Sequence, residues 1–316
     1  MATNRRSLSS YGSYADGVVL RGMPILGLYP GNVYWVDSNG GGSSKGTFAS
    51  PVATLAEGTA LCTANNADFV MIKPGHSETI TGAGGITFDK AGVSYIGMGR
   101  YDSRPTFLMD GATTVTCLVT AAEVAVYNCK FLAGHASIVT FATISAKGCR
   151  FDSCVFDQNT SGESFVSVFN TSTTDNAADG LELINNVMDF GTETDTLLPI
   201  NLLKDSRDVK IIGNTIIGDM DTSTYAAIYS VNSEHHFNIE IAYNKVFTHH
   251  DQDNIICISV GSTTSTGFIH NNYAKGEDDA GATPFIGAAD GLGMFDNLWT
   301  GDASTSGFVY PAIGDI

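Results

Sequence analysis

One eight-residue pattern recurs seven times in this chain, and it limits what the chain can fold into. Written φ-x-φ-x-x-N-x-φ, with φ apolar, it is clearest in Leu181-Glu-Leu-Ile-Asn-Asn186-Val-Met188 and Val209-Lys-Ile-Ile-Gly-Asn214-Thr-Ile216. Asn fills the polar slot at Asn186, Asn214, Asn244, Asn272 and Asn297, and Cys fills it at Cys129 and Cys154. The anchors are spaced 25, 32, 28, 30, 28 and 25 residues apart. The apolar slot three residues earlier holds Val126, Phe151, Leu183, Ile211, Ile241, Ile269 and Met294. The slot two residues later holds Phe131, Phe156, Met188, Ile216, Val246, Ala274 and Trp299. In the slot five residues earlier, only Gly267 breaks the apolar series.

A repeat of this length marks a stacked array. The copies alternate apolar with other residues and end on a polar residue that tolerates the left-handed backbone, as strand, tight bend and strand would. No helical pattern separates them, so alternating strand–helix units are excluded. One copy per coil of a parallel β-solenoid follows, each coil burying its apolar slots against its neighbours. Asn at one bend in successive coils then stacks into a hydrogen-bonded ladder about 4.8 Å per rung. A second strand series, Phe165–Val168, Pro199–Leu203, Ala227–Val231 and Ile256–Val260, runs between the copies.

These residues carry a resemblance to the right-handed parallel β-helix of the pectate-lyase-like superfamily. The entry segment adds to it: Tyr34-Trp-Val-Asp37, the Gly-rich stretch to Pro51, and Asp68-Phe-Val-Met-Ile-Lys-Pro-Gly-His76 resemble that family's opening strand, loop, capping helix and Lys-Pro-Gly turn. The likeness spans residues 33–300. It implies an all-β solenoid, on a scaffold that lyases, hydrolases, adhesins and phage virion proteins share.

The chain divides into an N-terminal arm (1–32), an entry strand and capping helix (33–65), the β-helix (66–300) and a C-terminal tail (301–316). The helix is expected to start at Ser50 and Pro51 and to run to about Asn65. The arm holds an apolar but Gly- and Pro-punctuated segment, Val18–Leu28. It is expected to lie against a neighbouring subunit or another virion protein.

The net charge of −17 argues against nucleic acid or an anionic membrane as partner. Cys62, Cys117, Cys129, Cys149, Cys154 and Cys257 form no CxxC pair and read as buried free thiols; stacking would bring Cys129 and Cys154 within disulfide range. No apolar stretch follows Arg5 and Arg6 as a secretion signal would, so synthesis in a host cytoplasm is expected.

Candidate chemistry is sparse. Glu234-His235-His236 and His249-His250-Asp251, with Asp253 beyond, hold metal-ligating side chains, and His235, His249 and Asp251 are the candidate ligands. Adjacent His residues on a strand point to opposite faces, which favours surface histidines. Glu277, Asp278 and Asp279 share one loop and lack the separation a glycosidase pair needs. Lyases of the resembling family use acidic residues for Ca²⁺ and a basic residue as proton acceptor, and no Arg here is placed beside an acidic strand cluster in the manner of that lyase site. Tyr101, Tyr225 and Tyr243 suit sugar binding and packing alike.

The expected function is therefore a non-enzymatic structural protein of a phage-like virion, without cofactor: a capsid-decoration protein or short spike, homotrimeric, contacting the major capsid protein. The alternative is a polysaccharide lyase or hydrolase, or a receptor-binding tailspike-like protein meeting host-surface polysaccharide.

Overall fold

A computed structural model describes residues 31–300 apart from 42–44, 192–197, 219–225, 232, 249–256, 262–263, 276–285 and 289–290, with short strands at 18–20, 23–25 and 310–311. The chain is a right-handed parallel β-helix. Among the described residues, three sheets run along it, two of ten strands and one of eight. A coil takes one strand from each sheet in turn. In one coil these are Ala125–Tyr127 of the first sheet, Lys130–Ala133 of the second and Ala142–Ile144 of the third.

Register follows the repeat. Val126, Phe151, Leu183, Ile211, Ile241 and Ile269 pair in sequence along the first sheet. Their alternation puts these side chains inside, and all are at most 1% exposed. In the second sheet Phe107, Phe131 and Phe156 stack face to face, with centroids 5.4 Å apart at each step. A parallel register brings like above like, so an aromatic column extends its offset stacking coil by coil. In the third sheet the strand after Phe165 begins at Phe169, four residues later than the alternation suggests. The sulfurs of all six cysteines are free, Cys129 and Cys154 included.

The bend between first and second sheets carries the ladder. Asn186, Asn214, Asn244 and Asn272 each donate Nδ2–H to the Oδ1 of the next Asn at 2.9–3.0 Å, ending on Asn297. The same Oδ1 accepts the backbone N–H of the preceding rung, starting from Cys154. The second amide hydrogen goes to a strand carbonyl of the neighbouring coil, for Asn214 that of Leu183 at 2.8 Å. The left-handed residue is not the ladder Asn, as the sequence suggested, but the one before it. Asn128, Ser153, Asn185, Gly213, Tyr243, Asn271 and Asp296 all have φ between 53° and 70°. That placement turns the Asn side chain inward, where its amide is fully buried. Gly267, the break in the apolar series, has φ 135°, and a Cβ there would collide with the Ile239 carbonyl.

The solenoid's entry end is covered by a helix, α1 (Leu55–Leu61), shorter than expected at both ends. Thr54, not Ser50, caps it. Its Oγ1 accepts from Glu57 N at 3.2 Å while Glu57 Oε2 accepts from Thr54 N at 3.2 Å, a reciprocal capping box that outcompetes Ser50 and Pro51. Glu78 of the first coil accepts the Leu55 N–H at 2.9 Å and ties the helix to the solenoid. Upstream, Val18–Leu20 (β1) and Met23–Ile25 (β2) pair as an antiparallel hairpin that is a sheet of its own.

Candidate functional site

Each coil passes from the third sheet back to the first through a turn, and three successive turns converge on one cluster. Asp175, Asp205 and Glu234 come from sequence positions about thirty residues apart, so stacking alone brings them together. One carboxylate oxygen from each lies within 4.8 Å of the others. Asp175 is exposed, and Asp205 and Glu234 are half-buried.

Two basic groups adjoin them. Lys204 Nζ donates to Glu234 Oε1 at 2.7 Å. That hydrogen bond, ahead of the charges of Glu234, Asp175 and Asp205, holds the Lys204 ammonium above its usual range. The His235 backbone N–H donates to Asp205 Oδ1 at 2.6 Å, and its Nδ1 lies 3.5 Å from the same oxygen. Partial burial pushes the Asp205 carboxyl up, but the His235 hydrogen bond and charge outweigh it, and the group sits below the ordinary carboxylate range. Asp205 is therefore held ionised, as a ligand or charge and not as an acid.

Below the cluster, His236 is buried. It exchanges hydrogen bonds with Ser206 Oγ at Nδ1 and Ser230 Oγ at Nε2, both 2.8 Å. Burial pushes its pKa down to about 4. It is a neutral packing histidine that supports the turn. The outer face of the adjoining third sheet carries a polar column in which Thr143, Asn170, Asn201, Tyr229 and Ser259 pair in register. Asn201, in the same coil as Lys204 and Asp205, is 8% exposed, and its Oδ1 has no hydrogen-bond partner among the described residues.

Of the candidate ligands read from sequence, His235 joins this cluster. His249 and Asp251, with His250 and Asp253, lie outside the described residues, as do Glu277, Asp278, Asp279 and Tyr225. Asp175 and Asp205 carry no ligand signature in the sequence. Neither sits in a recognisable motif, and only the thirty-residue period, applied to the polar turns as well as the apolar slots, would have aligned them. Arg150 stands on the first sheet between two carboxylates, donating to Asp152 Oδ2 at 2.6 Å and Glu182 Oε2 at 2.7 Å. Lys210 follows at 3.1 Å from Glu182. This column is a chain of satisfied ion pairs, with no carboxylate left to hold a ligand.

No protein-family model matches the chain, and no curated protein does. Among solved structures, a rhamnogalacturonan lyase is similar at 14% identity and a TM-score of 0.41, over 84% of this chain and 87% of its own. The pectate lyase Pel9A is similar at 15% identity and 0.43, over 88% and 78%. Both are named as lyases, against the expectation of a protein without catalytic activity. That expectation is withdrawn, and the likeness itself speaks to fold alone.

Proposed function

We propose that this protein binds an acidic polysaccharide at the turn cluster and cleaves it by elimination. The observation that carries the proposal is the convergence of Asp175, Asp205 and Glu234 with Lys204 beside a polar sheet face. Three carboxylates against one lysine leave excess negative charge in one place. Ca²⁺ takes oxygen ligands at about 2.3–2.6 Å, so two ligands of one ion lie at most roughly 5 Å apart, and this donor set fits. Bound there, the ion would supply positive charge to meet a uronate carboxylate and acidify the carbon beside it.

The chain's own residues supply the rest. Lys204 is the proton acceptor. As the neutral amine it would take the proton α to the uronate carboxylate; the electron pair forms a C=C bond, the glycosidic C–O bond on the adjacent carbon breaks, and the departing oxygen takes a proton from water to leave as a hydroxyl. The ion pair with Glu234 now holds Lys204 protonated. Recruiting Glu234 as a ligand would release that hold and lower the lysine's pKa. On the polar sheet face Asn201 Oδ1, unpartnered among the described residues, offers an acceptor to a sugar hydroxyl. A hydrolase is less well supported, since a glycosidase needs one protonated carboxyl and Asp205 is held ionised. The virion setting is proposed with this reading, as a place where a polysaccharide-cleaving solenoid would meet a cell surface; proteomics of purified particles tests it.

The biochemical test uses pectate and bacterial uronate polysaccharides and follows the ultraviolet absorbance of unsaturated product. Added Ca²⁺ should raise the melting temperature of the wild type, and Asp205→Asn should abolish that rise. Lys204→Ala should keep the Ca²⁺-dependent rise and lose product formation. Absence of any cation-dependent shift in the wild type, or product formation that survives both variants, would remove the proposal.

A further inference from the structure

Arg207 lies over Phe237 beside the turn cluster, and we infer that it recognises a second carboxylate of the same polyuronate chain, an inference that rests on the cluster being a uronate site. Ser206–Arg207 and His236–Phe237 form a two-stranded parallel sheet of their own, Ser206 paired with His236 and Arg207 with Phe237. Side chains alternate across such strands. Ser206 and His236 are at most 1% exposed and face the interior, which turns Asp205 and Arg207 outward on one face. Two extended residues separate their Cα atoms by about 6.6 Å, so Arg207 borders the carboxylates proposed to hold the cation.

Arg207 Cζ lies 4.9 Å from the centroid of the Phe237 ring. Contact with a ring face steadies a guanidinium and leaves N–H donors for a further partner. Among the described residues no carboxylate pairs with this guanidinium, because the acidic side chains around it are committed elsewhere. Asp179 accepts the Arg207 backbone N–H at 3.0 Å through Oδ1 and Lys147 Nζ at 2.8 Å through Oδ2. Asp208 accepts Asn238 Nδ2 at 2.6 Å, and Asp205 accepts the His235 N–H. Lys147, Arg150 and Lys204 all have carboxylate partners. On a chain with 33 acidic residues against 16 Lys and Arg, Arg207 is a donor fork without an acceptor.

A guanidinium presents paired, coplanar N–H donors that meet a carboxylate through two parallel hydrogen bonds. The turn cluster carries excess negative charge and repels a polyanion until a cation fills it. Arg207 offers a positive contact that needs no cation. A polyuronate held at the cluster through one carboxylate is thus anchored at Arg207 through another. The ligand this selects is an unesterified polyuronate, since a methyl ester or a neutral sugar brings no charge to pair.

Binding, rather than turnover, provides the test. The Lys204→Ala protein, with and without Arg207→Gln, is titrated calorimetrically with an oligogalacturonate, once in Ca²⁺ and once in EDTA. Arg207→Gln should weaken binding about tenfold in both buffers. Arg207→Lys should recover only part of that loss, because the fork is gone. The fully methyl-esterified oligomer should bind both proteins alike. Circular dichroism melts control for folding, and the Ca²⁺-dependent rise in melting temperature should survive Arg207→Gln. Equal affinity of the two proteins for the free acid would overturn the inference and, with the Ca²⁺ rise intact, leave the proposed cation site standing. Affinity that falls with Arg207→Gln in EDTA while Ca²⁺ changes nothing would keep Arg207 and remove the cation site. A parent protein that binds in neither buffer would overturn both.

Discussion

At the scale of single residues, the ladder bend concentrates both stability and strain. Asn214 Oδ1 accepts two hydrogen bonds and Nδ2 donates two, all buried. Asn214→Leu leaves the Asn186 backbone N–H and side-chain amide without the oxygen they share, at about 1–3 kcal/mol for each group. A loss of roughly 3–4 kcal/mol in urea unfolding is expected, and a loss under 1 kcal/mol would contradict the ladder's role. The left-handed position next door behaves differently. Tyr243 holds φ 58° with a bulky side chain that is 58% exposed, so Tyr243→Gly relieves strain and should stabilise by about 0.5–1 kcal/mol. Gly213→Ala should destabilise, since its Cβ would sit 2.5 Å from Asn185 Oδ1. His236 sets a pH dependence. Its folded pKa of about 4 lies below the ordinary 6.5, so between these values the unfolded chain binds more protons and stability rises with pH. Acidifying from pH 7 to 4 should cost up to about 3 kcal/mol through this group, and His236→Gln should remove that part of the slope. Unfolding in EDTA keeps bound cation out of the comparison.

At the scale of elements, what the sequence makes legible depends on whether the physics is periodic. Apolar slots recur because every coil needs the same inward positions, so strands and register can be read from Val126 to Ile269 without a structure. Helix α1 was legible in kind but not in boundary, because Ser50 and Thr54 are both good caps and only Thr54 has a glutamate three residues on. Thr54→Ala should cost about 1 kcal/mol, measurable as an earlier melting step at the entry end, and unchanged melting would show the cap to be redundant. The cluster of Asp175, Asp205 and Glu234 was hidden for the opposite reason. Turns between the third and first sheets differ in length and composition, so a ligand set spread over three of them leaves no local pattern. His235 was noticed because it stands beside His236, yet the two face different surroundings, one at the carboxylates and one in the interior.

At the scale of the whole molecule, a solenoid is held by nearest-neighbour contacts, and its stability is close to a sum over coils. Removing residues 215–244 deletes one period and brings Asn272 to the place of Asn244 beneath Asn214. The shortened chain should keep its β-sheet circular dichroism and melt at a lower temperature. Loss of folded structure would show longer-range cooperativity than the stacking implies. The proposed cation response should vanish with it, since Glu234 is removed.

The ladder also has a direction. From Asn186 to Asn272 each side-chain amide aims its hydrogen the same way, so the small dipoles add along the axis like cells wired in series. The two terminals are consequently unlike. At one, Cys154 offers a backbone hydrogen and no amide. At the other, Asn297 spends one amide hydrogen on the Ile269 carbonyl, and its second has no acceptor among the described residues. The exit end of an acidic rod is thereby a small electropositive pole, and whatever chain lies across it gains by presenting oxygen atoms there.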